Sequence, residues 1–454
     1  MGDLLESINP ATGVVLARRP QTTGSEVELI LEKAVKAQRI WKEKSFGDRA
    51  QALNAFSKAI KEAEQELAFL MAAEMGKPWK QGVAEVEKCA QCLSHFAQHG
   101  AEYLRDETVQ TEAAKSYVSR HPLGVVLGIM PWNFPLWQVI RALAPTLMAG
   151  NGFILKHASN VSGCALALLQ VAQNALPPDI FSIVLISGSE ASKLISDPRI
   201  NAVTLTGSTE AGKKIAAAAG QRLKKCVLEL GGSDPYLVLE DADVAVAAKI
   251  CTTSRLINAG QSCISAKRFI VHSRIKNEFE EAMLSEMESK TIGPPLGEFD
   301  LGPLARKDLR DNLHGQVTRS LDKGAILLCG GRVPTGAGNY YPPTLLTQVK
   351  PETSVFREET FGPVAAIISA ESEEEMIRLA NDTSYGLGAA VFSRDTHRAE
   401  KIGSKIEAGN VFINDFVKSD VRMPFGGVKE SGYGRELGML GIREFVNAKT
   451  VWVA

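Results

Sequence analysis

The feature that most constrains the fold is a regular alternation of short apolar segments with helical segments after residue 117. The apolar segments are rich in Val, Ile and Leu and lie at 125–130, 152–156, 181–186, 202–207 and 226–232. Segments that are apolar on both faces are typical of strands in a parallel sheet that helices cover on both sides. The sequence therefore predicts an α/β fold with ligands bound at the carboxyl ends of these strands.

Helical periodicity dominates the first hundred residues. Ser25 and Glu28 have the spacing of a capping box at the start of a first helix. A second helix is predicted from about Asp48 to the Gly-Lys-Pro sequence at 76–78, since Gly followed by Pro ends helices. A third helix is predicted over about 80–104.

A second α/β region is predicted over about 233–427, which agrees with the two or three domains expected for 454 residues. The final residues, VNAKTVWVA, are apolar and favour a strand. Such a strand needs a sheet edge to cover it, and another subunit is one place where that edge can lie.

The charge balance excludes some classes of partner. The chain has 51 basic and 52 acidic residues, so no positive excess favours nucleic acid or an anionic membrane surface. Its seven cysteines are odd in number and scattered, which favours reduced thiols over a disulfide framework. No signal peptide is visible at the start of the sequence, so a cytoplasmic location is expected.

Two motifs resemble a metal site and a phosphate-binding loop, but their spacing or residue types disfavour both functions. Cys89, Cys92, His95 and His99 form a Cys2His2 set, but on one helix they would spread over about 15 Å and cannot surround one ion. We therefore expect core cysteines and surface histidines, and no metal. The stretch 207–214, GSTEAGKK, nearly matches a phosphate-binding loop, but Lys214 replaces the Ser or Thr that holds magnesium.

Three further residues have both a structural and a catalytic interpretation. Cys263, in NAGQSCISAKR, is surrounded by small and amide residues, so it is either a structural thiol or a nucleophile. Glu229 lies in an apolar strand, so it is either a carboxylate bonded to backbone N–H groups or a general base with a raised pKa. Asn133, between Pro131 and Pro135, is either a turn residue or a fixed donor to an oxyanion.

Together with other motifs, these segments resemble the aldehyde dehydrogenase superfamily, and most closely its bacterial succinate-semialdehyde dehydrogenases. The matching stretches occur in the family's order across nearly the whole chain: EMGKP (74–78), PWNFP (131–135), TGSTEAG (206–212), LELGGSDP (228–235), GQSC (260–263), EETFGPV (358–364), NDTSYGL (381–387) and PFGGVKESGYGRE (424–436). Each motif is weak alone, and their order carries the resemblance.

The resemblance implies a fold and a mechanism. A Rossmann-like cofactor-binding domain would comprise 1–115 and 128–231, an α/β catalytic domain 232–427, and a small β oligomerisation element 116–127 and 428–454. Cys263 would attack the aldehyde to form a thiohemiacetal, and hydride transfer would leave a thioester. Asn133 and the Cys263 N–H would hold the oxyanion, and Glu229 would activate the hydrolytic water. The family's subunits also imply a homodimer or homotetramer.

The resemblance also assigns the cofactor, NADP or NAD, to particular residues. Those expected to contact it are Trp132, Lys156, Gly207, Ser208, Glu359 and Phe361. Ser159 stands where members that prefer NAD usually have an acidic residue, which binds the ribose 2′-hydroxyl. The Ser159 side chain carries no negative charge to repel a 2′-phosphate, and its hydroxyl can donate a hydrogen bond to one. We therefore predict that NADP is preferred.

For the substrate, the resemblance points to succinate semialdehyde, with Arg141 and Ser419 in its pocket. A second arginine that many such enzymes carry is replaced by Ile257, so Arg255 or Lys418 is a candidate second cation. A surface or subunit-interface arginine is the alternative for Arg141. Other small aldehydes, such as glutarate semialdehyde or an aminoaldehyde, are the alternative substrates, and a non-catalytic family member is the remaining alternative.

Overall fold

The computed structural model describes residues 4–454, and their strands form four sheets. In chain order the strands are β1 (Leu4–Ile8), β2 (Val15–Pro20), β3 (Glu107–Thr108), β4 (Lys115–Pro122), β5 (Val125–Met130), β6 (Gly152–His157), β7 (Phe181–Ile183), β8 (Ile200–Thr206), β9 (Lys225–Glu229), β10 (Pro235–Val238), β11 (Arg268–His272), β12 (Ile326–Cys329), β13 (Thr344–Thr347), β14 (Val364–Ala370), β15 (Gly388–Phe392), β16 (Asn410–Ile413), β17 (Gly432–Tyr433) and β18 (Val446–Val453).

The helices cover the faces of these sheets. They are α1 (Gly24–Trp41), α2 (Phe46–Glu62), α3 (Glu64–Met75), α4 (Trp79–Tyr103), α5 (Trp137–Met148), α6 (Ser162–Gln173), α7 (Gly188–Ile195), α8 (Thr209–Gly220), α9 (Val244–Leu256), α10 (Lys276–Glu288), α11 (Lys307–Asp322), α12 (Ser354–Arg357), α13 (Glu373–Asn381), α14 (Thr396–Gly403) and α15 (Gly438–Ile442). Within residues 4–454, none of them has the length and apolar character needed to cross a bilayer.

The predicted α/β class is confirmed by two large sheets. A six-stranded sheet has the order β17-β9-β8-β5-β6-β7, with every pair parallel except β17 with β9. A seven-stranded sheet has the order β12-β13-β14-β11-β10-β15-β16 and is parallel except for β12 with β13. Every residue of β5 is buried, as expected for a strand with helices on both faces.

The C-terminal strand β18 pairs with β4 of the same chain along eight residues, from Val446 opposite Pro122 to Val453 opposite Lys115. With β3 they form a three-stranded antiparallel sheet in which β18 is an edge. The strand predicted at the C-terminus is therefore present, but its first partner is its own chain. Because β5 begins at Val125, residues 125–127 belong to the six-stranded sheet and not with the rest of 116–127.

Two local predictions near the N-terminus are wrong. The first helix is capped by Thr23, whose side chain and Glu26 form the capping box, because Thr23 is the last extended residue and Ser25 already lies in the helix. The long second helix is divided in two at Ala63, whose backbone (φ −92°, ψ 9°) leaves the helical region. The predicted stop is observed at Gly76, which ends α3 with φ +78°.

Candidate active site

The residues that directly follow three neighbouring parallel strands line one cavity of about 240 Å³, which we call the strand-end cavity. Pro131, Trp132 and Asn133 follow β5, Gly207 and Ser208 follow β8, and Leu230 and Gly231 follow β9. All seven residues line the cavity. The carboxyl ends of the strands thus line a cavity at the place where the strand pattern predicts a binding site.

Cys263 reaches the same cavity from the side of the seven-stranded sheet, on a loop between α9 and β11 that has an unusual backbone. Asn258, Ala259 and Gly260 all have positive φ, between 52° and 74°. A Cβ on Gly260 would lie 2.3 Å from the Gly362 carbonyl oxygen, so no other residue fits there without movement. Non-glycine residues in this conformation cost free energy and tend to occur at functional sites.

Buried cations hold this loop in place. The Lys267 ammonium donates to the carbonyl oxygens of Cys263 (2.7 Å), Ser262 (3.1 Å) and Ser265 (3.1 Å). The Arg255 guanidinium donates to the carbonyl oxygens of Gly260 and Ala266. Both cations are therefore occupied by the loop backbone, and Arg255 does not line a substrate cavity.

Cys263 lines a second cavity as well, of about 310 Å³, which we call the helix-side cavity. Its other walls come from α4, α5 and the loop that carries Ser419. The thiol therefore lies where the two cavities meet. Burial raises the pKa of the Cys263 thiol to about 12, although Arg141 and Lys267 act in the opposite direction. It is a thiol at neutral pH until a base accepts its proton.

Asn133 is buried beside Cys263 in the strand-end cavity. Its side-chain amide donates to the Gln261 carbonyl oxygen at 3.1 Å, and its own carbonyl oxygen accepts from the Asn258 amide at 2.7 Å. These bonds tie the turn after β5 to the Cys263 loop. The orientation of the Asn133 side-chain amide is thus fixed by the backbone of that loop.

Glu229 ends β9 and is 1% exposed, with no hydrogen-bond partner within residues 4–454 for either carboxylate oxygen. The Arg141 Nη2 is 3.9 Å from its Oε2. Burial raises the pKa of Glu229 well above its usual range, Arg141 opposes this shift, and the nearby Glu436 carboxylate adds to it. A buried carboxyl with a raised pKa suits a general base or a proton carrier.

A thiol and an amide thus line the strand-end cavity, and the buried carboxyl of Glu229 directly precedes Leu230 of the same lining. A model of the aldehyde dehydrogenase family matches residues 2–451. This chain belongs to the aldehyde dehydrogenase family.

Individual relatives and solved structures agree with this assignment. The chain is 47% identical over 448 residues to the protein of Escherichia coli (strain K12) named succinate semialdehyde dehydrogenase, NAD(P)+, Sad, covering 98% of this chain and 97% of that one. It is 43% identical over 455 residues to a succinate-semialdehyde dehydrogenase, NADP(+), of Mycobacterium avium, covering 99% and 96%. The crystal structure of succinic semialdehyde dehydrogenase from Streptococcus pyogenes in complex with NADP+ superposes with a TM-score of 0.97 at 34% identity, covering 99% of each chain.

The residues of this aldehyde dehydrogenase that were predicted to contact the cofactor fall into two groups. Trp132, Gly207, Ser208, Glu359 and Phe361 all line the strand-end cavity. The rings of Trp132 and Phe361 meet edge to face at 5.7 Å, and Ser208 caps α8, whose first turn presents N–H groups. Flat apolar walls next to a helix N-terminus fit a nicotinamide with its pyrophosphate.

Lys156 and Ser159 lie outside that cavity, at the end of β6 and just after it. Lys156 is half-buried and Ser159 is exposed. Between them, His157 is buried, and burial lowers its pKa to about 4. The structure therefore places Lys156 and Ser159 on the sheet's carboxyl edge, where β8 and β5 separate β6 from β9.

The helix-side cavity contains both residues predicted for the substrate, Arg141 and Ser419, together with Ile257. Arg141 is 2% exposed, which excludes the surface interpretation. Lys418, a candidate second cation, is half-exposed, pairs with Asp415 and does not line the cavity. Instead Lys88 of α4 lines it, with its ammonium 2.8 Å from the Ser419 hydroxyl oxygen.

Sequence analysis did not identify Lys88, Lys267 or Glu436. The sequence of α4 does contain a signal for Lys88. It lies three residues after Glu85 and four before Cys92, both buried, and seven after Gln81, so these residues share one face of the helix. The structure buries Cys89 and Cys92 fully in the core, while the rings of His95 and His99 lie 4.7 Å apart outside it. Lys214, in the stretch 207–214 that nearly matches a phosphate-binding loop, pairs with the exposed Glu210.

Proposed function

We propose that this aldehyde dehydrogenase oxidises succinate semialdehyde to succinate, with NADP or NAD as the hydride acceptor. The observation that carries the proposal is the position of Cys263 at the meeting point of two cavities, one of which is lined by cations. The names of the relatives reported above support the same substrate and cofactors. A substrate with a carboxylate at the far end suits that cationic cavity.

The proposed first step is attack by the Cys263 sulfur on the aldehyde carbon, which forms a thiohemiacetal. The thiol proton passes to water in the cavity as the bond forms, because Cys263 is half-buried and its raised pKa keeps it a thiol beforehand. The Asn133 amide and the Cys263 N–H then donate to the oxyanion. Replacement of Cys263 by Ala would abolish oxidation but leave cofactor binding in place.

Trp132, Ser208 and Phe361 of the strand-end cavity would hold a nicotinamide, which would supply the hydride acceptor. Loss of hydride from the thiohemiacetal would leave a thioester on Cys263. Glu229 then removes a proton from the water that attacks the thioester carbon, and succinate leaves as the thiol re-forms. The buried carboxyl of Glu229 has no competing hydrogen bond within residues 4–454, so it is free to accept that proton. Arg141 stabilises its ionised form.

The division into a cofactor-binding domain (1–115 and 128–231), a catalytic domain (232–427) and an oligomerisation element (116–127 and 428–454) is part of the proposal, with residues 125–127 moved to the first. A homodimer or homotetramer is proposed as well, since β18 presents a free edge. The seven cysteines are all free, which supports a reducing compartment such as the cytoplasm.

The proposed substrate is tested with a panel of aldehydes in an assay of cofactor reduction. The panel contains succinate semialdehyde, glutarate semialdehyde, 4-aminobutanal and uncharged butanal, each with NADP and NAD. We expect the highest kcat/KM for succinate semialdehyde and the lowest for the aminoaldehyde, because Lys88 and Arg141 repel an ammonium group. A higher kcat/KM for butanal or the aminoaldehyde would contradict the proposal.

A further inference from the structure

Three charged side chains line the helix-side cavity: Glu85, Lys88 and Arg141. Glu85 is fully compensated. One carboxylate oxygen contacts the buried Lys77 ammonium, and the other accepts from two backbone N–H groups at 2.9 Å, those of Leu136 and Trp137. Glu85 therefore holds the start of α5 and presents no free charge to a ligand.

Arg141 is also compensated, although it is the cation that sequence analysis selects. Its Nε contacts the Glu436 carboxylate, and its Nη2 lies 3.9 Å from Glu229 and donates to the Thr206 hydroxyl at 3.1 Å. Two carboxylates thus share one guanidinium. The positive charge of Arg141 is directed at these groups, and it attracts a further anion weakly.

Lys88 differs from both. Its Nζ donates to the Ser419 hydroxyl at 2.8 Å and lies 4.2 Å from the centre of the Trp137 ring. Within residues 4–454, no carboxylate oxygen lies within 4 Å of it. An ammonium has three N–H donors, and the Ser419 bond uses one of them. Lys88 is therefore the cation of this cavity whose charge is not compensated.

We infer that Lys88 binds the distal carboxylate of the substrate, with Ser419 holding the ammonium in place and Cys263 at the other end of the same cavity. This inference rests on the proposed function, because it requires a substrate that carries a carboxylate. It assigns to α4 a specificity-determining residue that lies far from every catalytic residue in the sequence. It also explains how a cavity lined by Ile257 retains a free positive charge.

The surroundings of Lys88 make its charge sensitive to pH. Burial lowers its pKa to about 8, and the Arg141 guanidinium on α5 acts in the same direction. Glu85, Cys89 and Cys92 on its own helix act in the opposite direction. A bound carboxylate would restore the charge, so binding of an anion is expected to weaken as the pH rises past about 8.

The test compares succinate semialdehyde with butanal, which has the same number of carbons and no charge. The quantity measured is the ratio of the two kcat/KM values, from which changes common to both aldehydes cancel. For Lys88→Met we expect this ratio to fall about 10–100-fold through the KM of the semialdehyde, which is the effect of losing one charge-assisted bond. Lys88→Arg should keep most of the ratio.

The matched control is Lys80→Gln, because Lys80 is an exposed lysine on the same helix and does not line the cavity. Its ratio should equal that of the wild type. If the wild type does not favour succinate semialdehyde over butanal, the proposed function itself is wrong. If the wild type does favour it and Lys88→Met keeps the wild-type ratio, the proposed function stands and the role of Lys88 is wrong.

Two measurements do not depend on the folding of a variant. In the wild type the ratio should decline above about pH 8, and a ratio unchanged from pH 7 to pH 9.5 would contradict the inference. Without cofactor, succinate should raise the melting temperature of the wild type more than butyrate does. Equal shifts for the two acids would show that the second carboxylate finds no cation in the cavity.

Discussion

The Nη2 of Arg141 lies 3.9 Å from the Oε2 of Glu229, and the Nε of the same guanidinium contacts Glu436. All three side chains are at most 4% exposed. One cation therefore serves two buried carboxylates, which cannot both be ionised without a large desolvation cost. The Glu436 carboxylate raises the pKa of Glu229, so the state of Glu436 affects the chemistry at Glu229.

The first prediction is that Glu436→Gln shifts the pH dependence of kcat to lower pH. The negative charge of Glu436 raises the pKa of Glu229, so its removal favours the ionised base. We expect the rise of kcat with pH, which reports ionisation of the base, to occur at lower pH in the variant, measured with saturating aldehyde and cofactor. Glu430→Gln, in the same segment but paired with the exposed Lys213, is the control and should not shift the profile.

The second prediction concerns Glu229 itself. Glu229→Gln keeps the shape of the side chain but cannot accept a proton from water, so the thioester should accumulate. Rapid mixing should show a burst of reduced cofactor close to one per active site, followed by turnover slowed about 100-fold or more. A slow phase with no burst would place Glu229 in the acylation step instead.

The third prediction concerns cofactor choice. Ser159 is exposed and lies three residues after the half-buried Lys156, so a glutamate there would face a 2′-phosphate in partly screened solvent. Ser159→Glu should lower the ratio of kcat/KM with NADP to kcat/KM with NAD, mainly by weakening the binding of NADP. The expected change corresponds to about 1–3 kcal/mol. Ser189→Glu, at an exposed position on α7, is the control for added charge. A wild type that strongly prefers NAD and does not respond to Ser159→Glu would overturn the assignment.

The fourth prediction concerns assembly. β18 is an edge strand, and its Trp452 is 50% exposed, which is a large apolar side chain to leave in water. We expect light scattering at micromolar concentration to give at least twice the 49.0 kDa mass of one chain. Trp452→Glu should reduce that mass, while a wild type that stays at one chain mass would contradict the proposed oligomer.

Sequence analysis predicts well what short stretches determine. Cys263, Asn133 and Glu229 stand out because their neighbours contradict a simple core role. The structure places Cys263 and Asn133 in the strand-end cavity and buries Glu229 at the end of β9. Two-sided apolar segments predict the strands of the six-stranded sheet for the same reason. The residues that sequence analysis missed depend on contacts between distant segments. The Lys88 ammonium meets a hydroxyl 331 residues away, and no periodicity predicts that pairing.

The substrate pocket shows the same division. The resemblance to succinate-semialdehyde dehydrogenases implies that Arg141 lies in the pocket, and in the structure Arg141 lines the helix-side cavity. Its electrostatic role is not predicted, because that depends on Glu436, which reaches Arg141 only after the chain has passed through the whole seven-stranded sheet. Charge compensation depends on three-dimensional packing. The sequence alone therefore does not exclude Arg255 or Lys418 as the second cation of the substrate pocket.

The last prediction concerns His157, which joins the cofactor side to the catalytic turn. The Ala158 N–H donates to its Nδ1 at 2.8 Å, so Nδ1 carries no proton, and its Nε2–H donates to the Pro135 carbonyl oxygen at 2.8 Å. The buried ring is neutral, and protonation would place an Nδ1–H donor against the Ala158 N–H donor. Burial accordingly lowers the pKa of His157 from 6.5 to about 4.

The sign of the effect on stability follows from proton counts. Between about pH 6.5 and pH 4 the unfolded chain binds a proton at this residue and the folded chain does not, so the free energy of unfolding rises with pH in that window. The contribution is complete above about pH 6.5 and is lost as the pH falls towards 4, by roughly 3 kcal/mol at most.

Urea unfolding of the wild type and His157→Gln, compared from pH 7.5 to pH 4.5, isolates this residue. The wild type should lose more stability on acidification than the variant, and His121→Gln, which replaces an exposed histidine, should behave like the wild type. Identical pH dependence for the wild type and His157→Gln would show that His157 becomes protonated without cost in the folded protein.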